Sequence, residues 1–132
     1  VICALPPNVP KQSLSVVHLA YETDVLRKKG FGYLIPTQEK QSVLGAIFDS
    51  SIFPDASGQT RLSVMVRAVE TKPLEAALDA VKAHLGIRTS PVYSSVFYAK
   101  DAIPQFELGT YAPFGVSVDS CVAKGKYLAA GL

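Results

Sequence analysis

Few side chains in this sequence stand where they could do chemistry, and each has to be weighed by type and spacing. His18 lies in the alternating apolar run from Ser13 to Tyr21. A histidine there can be a metal ligand, a general base or a hydrogen-bonded sheet residue. With no second histidine, cysteine or carboxylate placed to help it, the last reading is preferred. Glu75 and Asp79 are spaced as a carboxylate pair could be, but with Lys82 they fall on the polar side of a helical repeat and read as a solvated face. Arg27-Lys28-Lys29 reads as a solvated turn, and a net charge of +2 is too small for a nucleic-acid footprint. Cys3 and Cys121 sit in apolar runs without metal-ligand spacing and read as buried thiols. Gly115-Val116-Ser117-Val118-Asp119-Ser120 is small and opens a helical pattern, and the unpaired N–H groups of a first helical turn favour carbonyl or phosphate oxygens. Taken by themselves, these residues and those that follow are read as an ordinary packing stripe through Val118, Cys121, Val122, Gly125, Leu128 and Ala129.

The elements that must position these residues are organised around two short apolar runs, Gly30–Pro36 and Val43–Ser50, joined by the polar connection Thr37–Ser42. That is the pattern of a β-hairpin. Gly30 and Gly32 bracket Phe31 where the backbone needs freedom or a ligand approaches closely. Val1–Leu5 is a β-type run stopped by Pro6-Pro7. Ser13–Tyr21 alternates with period two, Leu14, Val16 and His18 on one face and Ser15, Val17 and Leu19 on the other, and reads as an interior strand covered on most of both sides. Asp55–Gln59 is a turn by composition, and Arg61–Val66 returns as a strand. Thr71 is the expected N-cap of a helix opened by Pro73 and stopped by Gly86, with Leu74, Ala77, Leu78, Val81 and Leu85 on its apolar side. Pro91–Ala99 alternates again. The expected fold is therefore α+β in a single domain over residues 1–132: a mixed, largely antiparallel sheet of about five strands, one packing helix over about 71–86 and a C-terminal helix over about 116–130.

Composition agrees with a globular chain: of 132 residues, 48% are hydrophobic and 18% charged, which leaves apolar surface for a partner. No apolar run is long enough to span a bilayer, and no secretory pattern is present. Because the sequence opens on Val1 rather than Met, it reads as an excerpt.

Several ordered segments carry a resemblance. Gly30-Phe31-Gly32-Tyr33-Leu34-Ile35-Pro36, then Val43-Leu44-Gly45-Ala46-Ile47-Phe48-Asp49-Ser50 and Phe53-Pro54, is similar to the substrate-domain sheet of the protoporphyrinogen oxidases, FAD-dependent enzymes of haem and chlorophyll synthesis. Val1–Pro6 resembles the segment in flavin-containing amine oxidases where the chain leaves the FAD domain. Ile103-Pro104-Gln105-Phe106-Glu107-Leu108-Gly109 resembles an "IPQYxxGH" segment, with Phe106 for tyrosine and Thr110 after the glycine. Gly115–Lys126 resembles a "GVAVNDCIxSGR" helix start that lies against the flavin. Departures are also visible: Arg67-Ala68 stands where paired glycines usually follow, and Ala112-Pro113 replaces a helix and a strand. No G-x-G-x-x-G dinucleotide fingerprint occurs.

The resemblance implies that residues 13–110 correspond to the substrate-domain sheet and 1–6 with 115–132 to FAD-domain return segments. It implies Phe31, Leu34 and Met65 as substrate contacts holding protoporphyrinogen IX, and Val116, Ser117 and Val118 as contacts to FAD, with no catalytic side chain and no metal. It further implies an oxidoreductase of porphyrin biosynthesis acting with oxygen, associated peripherally with the mitochondrial inner membrane, or a plastid or bacterial membrane. Such a chain would be incomplete for catalysis alone, completed by a FAD-domain partner or forming a homo-oligomer. A cofactor-free α+β binding or assembly domain of the same ancestry is the alternative.

Overall fold

The computed structural model describes residues 2–3, 10–105 and 127–128 of the chain. Two compact units are present, Ser13–Lys100 and a smaller one formed by Val1–Gln12 with Asp101–Leu132. In chain order the described elements are β1 (Ile2–Cys3), β2 (Lys11–Tyr21), β3 (Gly32–Leu34), β4 (Val43–Ile47), helix α1 (Asp49–Ile52), β5 (Thr60–Arg67), helix α2 (Pro73–Leu85), β6 (Tyr93–Pro104) and β7 (Tyr127–Leu128). Five strands form an antiparallel sheet in the order β3-β4-β5-β2-β6, giving the α+β fold that the sequence leads one to expect.

The hairpin at the centre of the sequence pattern is the β3–β4 pair, registered Tyr33 to Ala46 and Leu34 to Gly45. Its connection contains a 3-10 turn at Thr37–Glu39, which Lys40 closes in the left-handed region at φ 49°. Register then runs across the sheet, Gly45 to Met65 and Ile47 to Ser63 between β4 and β5, Met65 to Val16 and Ser63 to His18 between β5 and β2. Because side chains alternate along a strand, this register separates two faces. One presents Val17 and Leu19 from β2, Ala46 from β4 and Leu62, Val64 and Val66 from β5, all buried, against Ala77, Ala80 and Val81 of α2. Full burial of a Val or Leu side chain contributes about 1.5–3 kcal/mol, so this α2-covered face holds the larger unit together. Helix α2 has its apolar residues at helical spacing, starts with Pro73 in its first turn and ends on Gly86 at φ 70°, a left-handed C-cap that glycine adopts without a Cβ penalty.

Several expectations need correction. The cap position of α2 is Lys72 rather than Thr71, with no side-chain cap bond. Strand β4 ends at Ile47, and Asp49 and Ser50 open α1 instead, because the hydrogen bonds of Ile52 to Phe48 and Phe53 to Asp49 turn the backbone helical. Strand β2 is interior, lying between β5 and β6, but it is not covered on both sides, since His18 is exposed. A C-terminal helix over 116–130 does not hold at Tyr127–Leu128, which form strand β7 paired in parallel with β1 through Ile2 to Tyr127 and Cys3 to Leu128. There the backbone groups are satisfied by a neighbouring strand rather than along a helix. The rest of that expected helix lies outside the described residues.

Candidate functional site

Among the described residues, the sheet face turned away from α2 has no helix layer over its middle. Alternation places Leu34 of β3, Gly45 of β4, Met65 of β5 and Val16 of β2 in one row across it, each paired with the next. Leu34 is 78% exposed, Met65 and Val16 are half-buried, and Ile47 continues the apolar surface in the adjoining row. Gly45 keeps the row low. A Cβ there would stand 2.3 Å from the Tyr33 carbonyl oxygen and 3.0 Å from Leu34 Cδ2, so the Leu34 side chain leans into space that only glycine leaves. Phe31, 72% exposed, precedes β3, and its carbonyl accepts a hydrogen bond from the Phe48 N–H at 2.9 Å. Gly32, at φ +148° and with an added Cβ 2.1 Å from the Ala46 carbonyl oxygen, lets the chain pass from Phe31 into the strand.

Next to this apolar row the same face carries a polar chain. Ser63 donates its hydroxyl to Asp49 Oδ2 at 2.7 Å, and His18 Nδ1 lies 2.9 Å from Ser63 Oγ. Ser63 has one hydroxyl proton and spends it on Asp49, so Nδ1–H of His18 is the donor in the second bond. That fixes the ring's orientation and leaves Nε2 facing outward from the sheet. Arg61, one row further, is tied down. Its guanidinium pairs with Asp55 and donates to the Phe53 carbonyl at 3.0 Å. The Ser57 hydroxyl, followed by the Arg61 guanidinium, holds the Asp55 carboxyl down at about 2. At the far end of the face, Arg67 Nε donates to the Gln41 carbonyl at 3.0 Å.

A second candidate lies on the α2 side. A cleft of about 690 Å³ is lined by Arg27, Lys28, Lys29, Gly30, Tyr33, Phe48 and His84 among others. Tyr33 OH and His84 Nδ1 are 3.0 Å apart and their rings meet edge-on at 5.5 Å. Burial pushes the Tyr33 hydroxyl pKa up. Lys29 pairs with Asp24, and the Lys29 side chain is the leading reason that the Asp24 carboxyl pKa is lowered. The basic triplet remains exposed, as a solvated turn would be. Glu75 is paired with Lys72 at 3.1 Å on the exposed side of α2. Among the described residues no group of histidine, cysteine, aspartate and glutamate is arranged to hold a metal ion.

Of the residues singled out from the sequence, Leu34 and Met65 are brought onto one face in one row, whereas Phe31 lies exposed just before β3, its backbone opposite Phe48. Val116, Ser117 and Val118 lie outside the described residues. Sequence reasoning left out Gly45, and it judged His18 to be without a carboxylate. Asp49 lies beyond the end of β4 in α1, so no strand alternation could have placed it beside Ser63.

Comparison with known proteins bears on this arrangement. No family model matches the chain. Protoporphyrinogen oxidase of Macaca fascicularis is 29% identical over 155 aligned residues that take in 89% of this chain, and the Bos taurus enzyme is 30% identical with the same share of the chain. The chain spans about a third of the length of these curated relatives, 32% and 33%. Alignments over 155 positions exceed the chain's own 132 residues, so the relatives carry residues with no counterpart here. Among solved structures, an Exiguobacterium protein provisionally described as a protoporphyrinogen oxidase superposes over 98% of this chain and 35% of its own, with a TM-score of 0.65 at 17% identity. Putrescine oxidase bound to putrescine superposes with a TM-score of 0.62 at 17% identity, over 98% of this chain and 36% of its own. These structures establish the fold. The sequence matches add the lineage, and together they make the chain a partial protoporphyrinogen oxidase-like sequence.

Proposed function

We propose that this chain is the substrate-domain sheet, with its return segments, of a protoporphyrinogen oxidase-like flavoprotein. In this reading the open face of the sheet is the wall against which protoporphyrinogen IX lies. The observation that carries it is the row Leu34–Gly45–Met65–Val16, an apolar surface kept low at its second position by a glycine, which suits a flat apolar macrocycle. In the same reading Phe31, exposed just before β3, is a further contact to the ring. Residues 1–6 and 115–132, with Val116, Ser117 and Val118, lead to the flavin, and FAD when bound supplies the hydride acceptor of the reaction. This chain's own residues hold and orient the macrocycle and exclude water from one side of it. Since no dinucleotide fingerprint occurs in the sequence, the adenosine half of FAD is seated by residues beyond these 132 or by a partner subunit. Turnover by the chain alone is therefore not expected. A mitochondrial or plastid setting is supported by relatives described as mitochondrial in Nicotiana tabacum and chloroplastic/mitochondrial in Arabidopsis thaliana. Among the described residues no helix is long and apolar enough to cross a membrane.

Fluorescence titration with protoporphyrin IX, the stable product of such an oxidation, tests the reading. Saturable quenching is expected, weakened about tenfold in Met65→Gln, since one apolar side chain against the ring contributes about 1.5 kcal/mol or more. Circular dichroism should show the fold of that variant unchanged. Unsaturable quenching, or equal affinity in the variant, would remove the open face as the substrate wall. Desalting the chain after incubation with excess FAD, followed by an absorption spectrum, decides separately whether the flavin end is seated without a partner.

A second reading has its own observation. Strand β6 is an edge of the sheet and exposes Tyr93, Val96, Phe97 and Tyr98, as a binding or assembly domain would. Under it the open face binds no tetrapyrrole and the β6 edge receives another chain.

A further inference from the structure

We propose that His18 is an anchoring residue for a carboxylate carried by the ligand of the open face, and that Ser63 and Asp49 position it. This rests on the reading of that face as a tetrapyrrole wall and adds to it a polar subsite, whose residues come from three separate elements, β2, β5 and α1.

The geometry fixes which atom is offered. Asp49 Oδ2 takes the only hydroxyl proton of Ser63 at 2.7 Å, so Ser63 Oγ accepts from His18 Nδ1–H at 2.9 Å. Asp49 and Ser63 are partly buried, and His18 is exposed. The chain thus runs from the sheet outward and ends on Nε2, for which no partner is found among the described residues. An imidazole held in this way has its rotation already restricted before any ligand arrives, which lowers the ordering cost of a contact. With the Nδ1 proton spent on Ser63, Nε2 meets a carboxylate as a donor only when the contact brings a second proton to the ring, and the bond is then charge-assisted.

Placement supplies the class of ligand. His18 and Val16 are two apart on β2 and share the open face, and Ser63 and Met65 do the same on β5, so His18 is a diagonal cross-strand neighbour of Met65 at roughly 7 Å. A macrocycle centred on the Leu34–Met65 row therefore ends near His18. Tetrapyrroles of the protoporphyrin type have apolar rings with carboxylate substituents at the periphery. The other cations of the face are engaged elsewhere, Arg61 with Asp55 and the Phe53 carbonyl, and Arg67 Nε with the Gln41 carbonyl.

The test compares protoporphyrin IX with its dimethyl ester, the same ring with both carboxylates capped, in fluorescence titrations of the full chain. The wild type should bind the diacid about tenfold more tightly than the diester, as a hydrogen bond to a charged group contributes on that scale. His18→Gln should abolish the preference while leaving diester binding unchanged. Ser63→Ala should reduce the preference severalfold, again without affecting the diester, which a merely structural loss would not do. With only two histidines in the sequence, His18 and His84, imidazole nitrogen NMR gives an independent readout: the diacid should move the His18 signal and leave that of His84 in place. Excess acetate, a carboxylate without the ring, should not reproduce that shift at matched concentration. Equal affinity for diacid and diester in the wild type, with binding intact, overturns the role of His18 and leaves the substrate wall standing. Failure to bind either compound overturns both.

Discussion

A glycine decides the shape of the open face at the scale of single residues. Gly45 lies between Leu34 and Met65, and a methyl group there would press into the Tyr33 carbonyl at 2.3 Å, which is backbone and cannot turn aside. Gly45→Ala is expected to cost about 1–3 kcal/mol by overpacking and to splay β3 away from β4. Leu34→Ala removes a larger group from the neighbouring position but should change stability by less than about 0.5 kcal/mol, because Leu34 is already in solvent. Urea unfolding of the two variants separates them, and a Leu34→Ala loss equal to that of Gly45→Ala would mean that Leu34 is packed rather than offered. The pair also shows what was legible at this scale. Leu34 and Met65 stand out by family resemblance and by alternation. Gly45 does not, because its reason is a contact with a strand whose register the sequence does not state.

Among the elements, the connection between α1 and β5 shows how a loop is held by charge. Asp55 accepts from the Ser57 N–H at 2.9 Å and from the Ser57 hydroxyl, and pairs with Arg61 at the start of β5. Its carboxyl falls from the ordinary value of 3.8 to about 2. A carboxyl lowered in the folded state contributes stability above the unfolded value, and the contribution is lost as pH falls through the folded one. The wild type should therefore exceed Asp55→Asn in stability at pH 5, and the gap should close between about pH 4 and pH 2. Because the group is in solvent, the gap should also shrink in high salt. Thermal unfolding of both proteins across pH 2–6 checks this, and a gap independent of pH would assign the loop's order to Ser57 and the backbone alone. The turn itself was evident from Asp55-Ala56-Ser57-Gly58-Gln59. Helix α1 was not, since Asp49–Ile52 is too short for any periodicity to declare it.

On the scale of the whole molecule, exposed apolar surface gathers on the β6 edge, where Val92, Tyr93, Phe97 and Tyr98 are each more than half exposed. A long strand at the edge of the described sheet, with exposed aromatic side chains, is a template for another strand. The isolated chain is expected to self-associate in a concentration-dependent way, and Phe97→Lys, which charges the edge without touching the core, should shift it toward monomer. Light scattering after size exclusion measures both, and a monomeric wild type at high concentration would show that the edge is covered within the chain. The same exposed residues are those that alternation in Pro91–Ala99 marked as a strand, so the element was legible and its position at the edge was not.

What the sequence determined by itself was local and periodic. The hairpin, the 3.6-residue stripe of α2 with its Gly86 stop, and the two faces of β2 follow from spacing alone, because backbone hydrogen bonding permits few periods. The ordered segments similar to protoporphyrinogen oxidases were equally visible. Only the tertiary structure decided the strand order β3-β4-β5-β2-β6 and its register. That register set Leu34, Gly45, Met65 and Val16 in one row and joined His18, Ser63 and Asp49, residues far apart in the chain, into one hydrogen-bonded line. The physical reason is that a strand's own sequence fixes which residues share a face, whereas their neighbours on that face depend on how separate strands pair, and a slip of one residue would send every one of them to the other side.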